Sequence, residues 1–131
     1  MPQVLIVDDS PTIRRMVRAS LGSLAGTPAF HEASSGLEAI ERVSLSPIDL
    51  MVLDLNMPDM HGLEVLAFMR SHDRYRRVPI IVLTTRGDDA ARDAALQGGA
   101  TTFMTKPFTP GDLANEARRI LERSAAPADA P

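Results

Sequence analysis

Five residues of this chain stand where chemistry could be done. Asp8 and Asp9 follow the aliphatic run Val4-Leu5-Ile6-Val7, and Asp54 follows Leu50-Met51-Val52-Leu53. Thr84 ends the run from Val78 to Leu83, and Lys106, followed by Pro107, ends Thr102 to Thr105. Continuous apolar runs read as strands covered on both faces, as in a parallel sheet. Open parallel sheets bind ligands outside the carboxyl ends of their strands. Three carboxylates, a hydroxyl and an ammonium are therefore expected on one rim. Each has a bland explanation alone: Asp8 and Asp9 as helix-dipole partners, Asp54 as turn material, Thr84 as an ordinary strand residue, Lys106 as a solvated side chain. Separate surface preferences would not fill four of five strand ends with complementary groups.

Such a rim has an electrostatic problem. Two carboxylates about 4 Å apart repel by about 4 kcal/mol at an effective dielectric of 20. A divalent cation relieves this, and all-oxygen donors without cysteine point to Mg²⁺ or Mn²⁺ rather than zinc. Magnesium commonly spans one or two carboxylates, retained waters and phosphate oxygens, so the site suits a phosphoryl group. No GxxxxGK[ST] cradle follows the first run, which argues against a nucleotide. A carboxylate can itself act as nucleophile and become an aspartyl phosphate. The cation and Lys106 would then neutralise the transferring oxygens, with Thr84 donating a hydrogen bond.

The elements that must position these groups alternate strand and helix from end to end. Ser10-Pro11 starts a helix whose apolar stripe is Ile13, Met16, Val17 and Leu21, closed by Gly22 to Pro28. Ala29–Ala33 is a weaker strand, and Gly36–Leu45 a helix turning Leu37, Ile40 and Leu45 inward. After Asp54 and the turn Met57-Pro58-Asp59 comes a helix from about Gly62 to Arg70 carrying Leu63, Leu66 and Met69. An alanine-rich helix from Asp88 to Gln97 precedes the fifth strand, where Phe103 reads as core. Thr109 or Asp112 starts the last helix, with Leu113, Ala117, Ile120 and Leu121 inward. Five βα units with right-handed crossovers make an α/β, doubly wound, five-stranded parallel sheet with five helices.

The 131 residues suit one domain, 1–123, with an Ala/Pro-rich tail, 124–131, expected to be disordered. Zero cysteines exclude disulfides, thiolate zinc sites and cysteine nucleophiles, and agree with a reducing compartment. A net charge of -3 argues against nucleic-acid binding, and no apolar run reaches membrane-spanning length. No signal-peptide core precedes Asp8, so a cytoplasmic protein is expected. Of the 14 basic residues, Lys106 is the sole lysine, a compact charge on a flexible stem where arginine serves everywhere else.

Val4-Leu5-Ile6-Val7-Asp8-Asp9-Ser10, Asp54-Leu55-Asn56-Met57-Pro58 with Gly62, Thr84, and Lys106-Pro107-Phe108 together resemble the receiver domain of bacterial two-component response regulators. The likeness runs to about Arg123 and is to the stand-alone, chemotaxis CheY-type members, since no output domain follows. It implies a flavodoxin-like sheet of order 2-1-3-4-5. It further implies Asp54 as phosphoacceptor, supplied by a sensor histidine kinase or a histidine phosphotransfer protein. Asp9, Asp54 and the Asn56 carbonyl would hold Mg²⁺, with Asp8 assisting through water. Lys106 would pair with the phosphoryl oxygens, Thr84 would swing towards them, and Phe103 would turn into the vacated space. A cis Lys106–Pro107 peptide, a downstream protein target bound at the fourth helix, fifth strand and fifth helix, and a monomer or weak dimer are also implied.

Two features depart from a bare match. Arg86 stands where chemotaxis regulators often carry an acidic residue, which bears on phosphate lifetime. Asp88 and Asp89 make the fourth helix start acidic, so its partner preference does not transfer from a basic relative. His61 reads as exposed and structural. Two other classes stay open. An aspartate-nucleophile phosphatase would need Asp-x-Asp at the first strand, where this chain has Asp8-Asp9-Ser10, and a substrate cap. An interaction module would lack Mg²⁺ affinity.

Overall fold

A computed structural model of the chain describes residues 1–85 and 89–125. Arg86, Asp88 and the residues beyond Ala125, on which expectations were placed, lie outside the described residues. Strands β1 (Gln3–Val7), β2 (Ala29–Ala33), β3 (Leu50–Asp54), β4 (Ile80–Thr85) and β5 (Thr102–Lys106) form one sheet of order β2-β1-β3-β4-β5. Every neighbouring pair is parallel. Helices α1 (Pro11–Leu21), α2 (Gly36–Leu45), α3 (Gly62–Ser71), α4 (Asp89–Gln97) and α5 (Pro110–Ala125) make the crossovers. This is the doubly wound α/β architecture expected from the pattern, in the flavodoxin-like strand order that the resemblance implies.

Alternation along the strands divides the core into two layers. Leu5, Val7, Met51, Leu53, Ile80 and Val82 pack with α2, α3 and α4. Val4, Ile6, Leu50, Val52, Ile81 and Leu83 pack with α1 and α5, through Val17, Leu21, Leu113, Ala117 and Ile120. Because both sheet faces are covered, the strands need no polar face, which is why they read as unbroken apolar runs. Among the described residues no helix is long and apolar enough to cross a membrane.

Local chemistry sets the helix starts. The Ser10 hydroxyl accepts from Ile13 N–H at 3.2 Å with Pro11 at the first helical position, and Ser35 does the same for Glu38 in α2. His61 caps α3, its Nδ1 accepting from Leu63 N–H at 3.1 Å. That matches the exposed, structural part expected of it.

Several expectations are corrected. In α2 the buried residues are Gly36, Ala39 and Val43, while Leu37 and Leu45 are 62% and 70% exposed. Small residues at a three- and four-residue spacing let the helix lie close to the sheet, and that turns the leucines outward. Met16 is likewise exposed, since the buried stripe of α1 is Val17, Ser20 and Leu21. There Ser20 Oγ donates to the Pro110 carbonyl at 2.5 Å, tying α1 to the start of α5. β4 begins at Ile80 rather than Val78: Pro79 lends its carbonyl to Met51 N–H at 2.9 Å but has no N–H to return. Phe103 is half-buried rather than core, and α5 includes Ser124 and Ala125, which were expected in the tail.

Candidate functional site

Asp8, Asp54 and Lys106 lie two residues beyond Ile6, Val52 and Met104, all of which face the α1/α5 layer. The period-two alternation along these parallel strands therefore carries them to the same side of the sheet's carboxyl edge. Ligand atoms of Asp8, Asp9 and Asp54 lie within 4.8 Å of one another. Asp8 and Asp54 are buried, whereas Asp9 is exposed. Lys106 Nζ reaches between the buried pair, 2.8 Å from Asp8 Oδ2 and 3.2 Å from Asp54 Oδ1. The four charged members of the expected rim thus do meet.

The remaining contacts fix each carboxylate. Asp8 Oδ1 accepts from Ser10 N–H at 2.9 Å, and Asp54 Oδ1 accepts from Asn56 N–H at 3.3 Å. Among the described residues nothing donates to Asp54 Oδ2, which leaves that oxygen available. The strand end is held by close approach: a Cβ on Gly62 would stand 2.4 Å from the Asp54 carbonyl oxygen, so only glycine lets α3 begin here. Gly62 N–H donates to the Leu55 carbonyl at 2.9 Å. The Lys106–Pro107 peptide is cis.

Burial raises the Asp54 pKa above the ordinary aspartate value, and the neighbouring Asp8 charge raises it further; Lys106 and the Asn56 N–H only partly oppose this. For Lys106, burial alone would favour the neutral amine. The hydrogen bond to Asp8 and the charges of Asp54 and Asp8 outweigh it, and the pKa is raised. Lys106 therefore stands as a cation between two anions, one of which is held reluctantly ionised.

Thr84 is fully buried, and among the described residues its Oγ1 has no hydrogen-bond partner. It follows Leu83, the register partner of Asp54, and lies on the opposite, α4 side of the sheet with Val82. A buried hydroxyl without a partner costs free energy, so it marks a place where an acceptor is missing. Phe103 pairs in register with Val82, and the Arg92 guanidinium lies 5.8 Å from its ring centre. Asn56 is exposed.

Three contributors escaped the sequence reading. Asp59, read only as turn material, accepts from Gly36 and Leu37 N–H at 3.2 Å each and ties the loop after Asp54 to the start of α2. Those backbone bonds outweigh a small desolvation cost and lower its pKa. Arg14 donates to the Asp8 carbonyl at 2.5 Å while pairing with Glu32 at 2.8 Å. Arg92 is the third. Asp59 had a readable signal, an acid facing a helix start, but only the tertiary fold says which helix.

The carboxylates supply an all-oxygen donor set with the Lys106 ammonium beside it, so the residues fit a hard divalent cation together with an anionic group such as a phosphoryl. The family model described as the response regulator receiver domain matches residues 4–118. The chain is 37% identical over 120 residues to chemotaxis protein CheY1 of Helicobacter pylori, covering 91% of this chain and 96% of that protein. It is 34% identical to the transcriptional regulatory protein SrrA of Staphylococcus aureus, covering 93% of this chain but 48% of that one. The solved structure of chemotaxis response regulator CheY4 of Vibrio cholerae superposes with a TM-score of 0.83 at 33% identity, covering 92% of this chain and 98% of that one. With its acidic pocket at the carboxyl edge of a 2-1-3-4-5 sheet, the chain belongs to the response regulator receiver family and is of the CheY type.

Proposed function

We propose that the chain is a phosphorylation-dependent switch that takes a phosphoryl group from a histidine kinase or phosphotransfer protein onto Asp54. The observation that carries this reading is the placement of Lys106 Nζ between Asp8 and Asp54 inside a three-carboxylate cluster. Asp54 Oδ2 attacks phosphorus; the P–N bond of the donor phosphohistidine breaks as the P–O bond forms, and the donor imidazole leaves. Lys106 stabilises the charge on the phosphoryl oxygens, and Thr84 Oγ1 donates to one of them. Asp9, Asp54 and the Asn56 carbonyl, assisted by Asp8, would hold Mg²⁺ or Mn²⁺. When bound, the cation neutralises the clustered carboxylates and the incoming phosphoryl oxygens.

Phosphorylation shifts a two-state equilibrium only if the phosphoryl group is better held in one state. Thr84 supplies that difference, because its hydroxyl gains a partner by moving towards the site. The space it leaves takes Phe103, and the surface of α4, β5 and α5 is read by a downstream protein. The donor docks at the start of α1, around Pro11 to Arg15, and at Pro107-Phe108. The test is labelling by acetyl phosphate with Mg²⁺: the wild-type chain forms an acid-labile phosphoryl adduct that hydroxylamine cleaves, and Asp54→Asn forms none while keeping its fold. Equal labelling of Asp54→Asn overturns the reading.

A further inference from the structure

Arg92 lies on the exposed side of α4, and its guanidinium stands over the Phe103 ring at 5.8 Å from the centroid. Among the described residues no carboxylate lies within ion-pair reach of Arg92, and its charge meets the partially negative face of the Phe103 ring. Phe103 is half-buried on β5, in register with Val82 and two residues before Thr105, the partner of Thr84. Beside the ring runs a groove of about 370 Å³ whose lining includes Arg92, Phe103, Thr105 and Asp112. The ring therefore packs against the core on one side and borders the groove on the other, with the guanidinium against it.

We infer that Arg92 is the latch of the resting state: it holds Phe103 outward through a cation–π contact and so sets how much phosphorylation is needed to switch. This rests on the reading of Phe103 as the residue that moves. A ring that turns inward beneath α4 leaves the guanidinium, so the contact stabilises one state only and biases the equilibrium. A surface cation over an aromatic ring corresponds to about a two- to five-fold change in that equilibrium. Arg92 is thus a positioning residue, acting through Phe103, and takes no part in the phosphoryl chemistry.

The test uses the full chain labelled with fluorophenylalanine, whose 4 phenylalanines give few ¹⁹F signals, with Phe103→Leu assigning the relevant one. In wild type the Phe103 signal moves on adding Mg²⁺ with beryllofluoride. Arg92→Gln, which keeps a polar stem and loses the charge, is expected to displace the resting signal towards that activated position. It is also expected to lower the acetyl phosphate concentration for half-maximal switching about two- to five-fold. Arg92→Lys restores the wild-type position in part. In a Phe103→Leu background, with the midpoint read from phosphoryl labelling of Asp54 instead of from the missing ring, Arg92→Gln no longer changes it, which a general effect on α4 would not produce. If wild type responds to beryllofluoride but Arg92→Gln leaves both the resting signal and the midpoint unchanged, the latch is refuted and the switch stands. If the wild-type Phe103 signal does not respond, the reading of Phe103 as the moving part falls and the latch falls with it.

Discussion

Lys106 and Asp8 are 98 positions apart in the chain, yet their side chains meet at 2.8 Å. The contact closes the rim from β5 to the end of β1 across β3 and β4, and it does so with the sole lysine. An ammonium on a four-carbon stem can reach Asp8 and Asp54 together and still release one of them. A guanidinium with fixed fork geometry would be committed to a bidentate pair.

Removing that charge should therefore be costly in a metal-dependent way. Lys106→Met keeps the stem but leaves two buried carboxylates facing each other. Without metal at pH 7 it is expected to lose about 1–3 kcal/mol, less than a fully buried pair because Lys106 is partly exposed. Millimolar Mg²⁺ should recover most of the loss. Since the native Lys106 pKa is raised, its contribution is complete below the ordinary lysine value and disappears as pH climbs through the raised one. Urea unfolding of both proteins from pH 7 to pH 11, with and without Mg²⁺, measures each part.

Asp54 should behave in the opposite sense. Burial and the Asp8 charge raise its pKa, so its ionised form is disfavoured by folding. Below the ordinary aspartate value the carboxyl is protonated in both states and costs nothing; as pH rises through the raised native value, stability is lost. Asp54→Asn is thus expected to be more stable than wild type at pH 7 without metal, by a few degrees in melting temperature. The advantage should vanish below about pH 4. Thermal melts across that range decide it: a variant less stable than wild type at pH 7 contradicts the clustering.

The same two aspartates show what sequence can and cannot reveal. Each lies at the end of a strand buried on both faces, and such strands announce themselves as aliphatic runs, so the rim was legible from residue types alone. The facing of α2 was not. Leu37 and Leu45 look like the core by size, but Gly36, Ala39 and Val43 let the helix approach the sheet, and closeness outweighs bulk. Asp59 and Arg92 were hidden for a related reason: each acts on a partner from another element, Gly36 on α2 or Phe103 on β5, and no local pattern names that partner.

Arg70 offers a test away from the site. It donates to the carbonyls of Gly99 at 2.9 Å, Arg76 at 3.1 Å and Val78 at 2.8 Å, joining the end of α3 to the segment before β4 and the turn after α4. Its partial desolvation lowers its pKa, which still leaves the guanidinium charged. Arg70→Lys cannot span three carbonyls in one plane and is expected to cost about 1–2 kcal/mol, read by urea denaturation. The initial rate of labelling by acetyl phosphate should stay within two-fold of wild type. A large loss of labelling in a folded variant would show that this end of the molecule reaches the site.

Thr84 sets stability against switching. Its buried Oγ1 lacks a partner among the described residues at rest, a cost that mutational data put at about 1–3 kcal/mol for such a group. Thr84→Val keeps the β-branched shape, fills the same space and removes the hydroxyl, so the unphosphorylated protein is expected to gain about 1 kcal/mol, or roughly 3–5 °C in melting temperature. Phosphorylation should still occur, because Asp54 and Lys106 are intact. The response should suffer instead, since valine gains nothing from a phosphoryl oxygen, and the Phe103 environment should shift far less at full occupancy of Asp54. Calorimetry of the resting protein and fluorine spectra of the beryllofluoride complex separate the two effects. A Thr84→Val protein that is no more stable and switches fully would mean that the hydroxyl is neither strained at rest nor used when phosphate arrives.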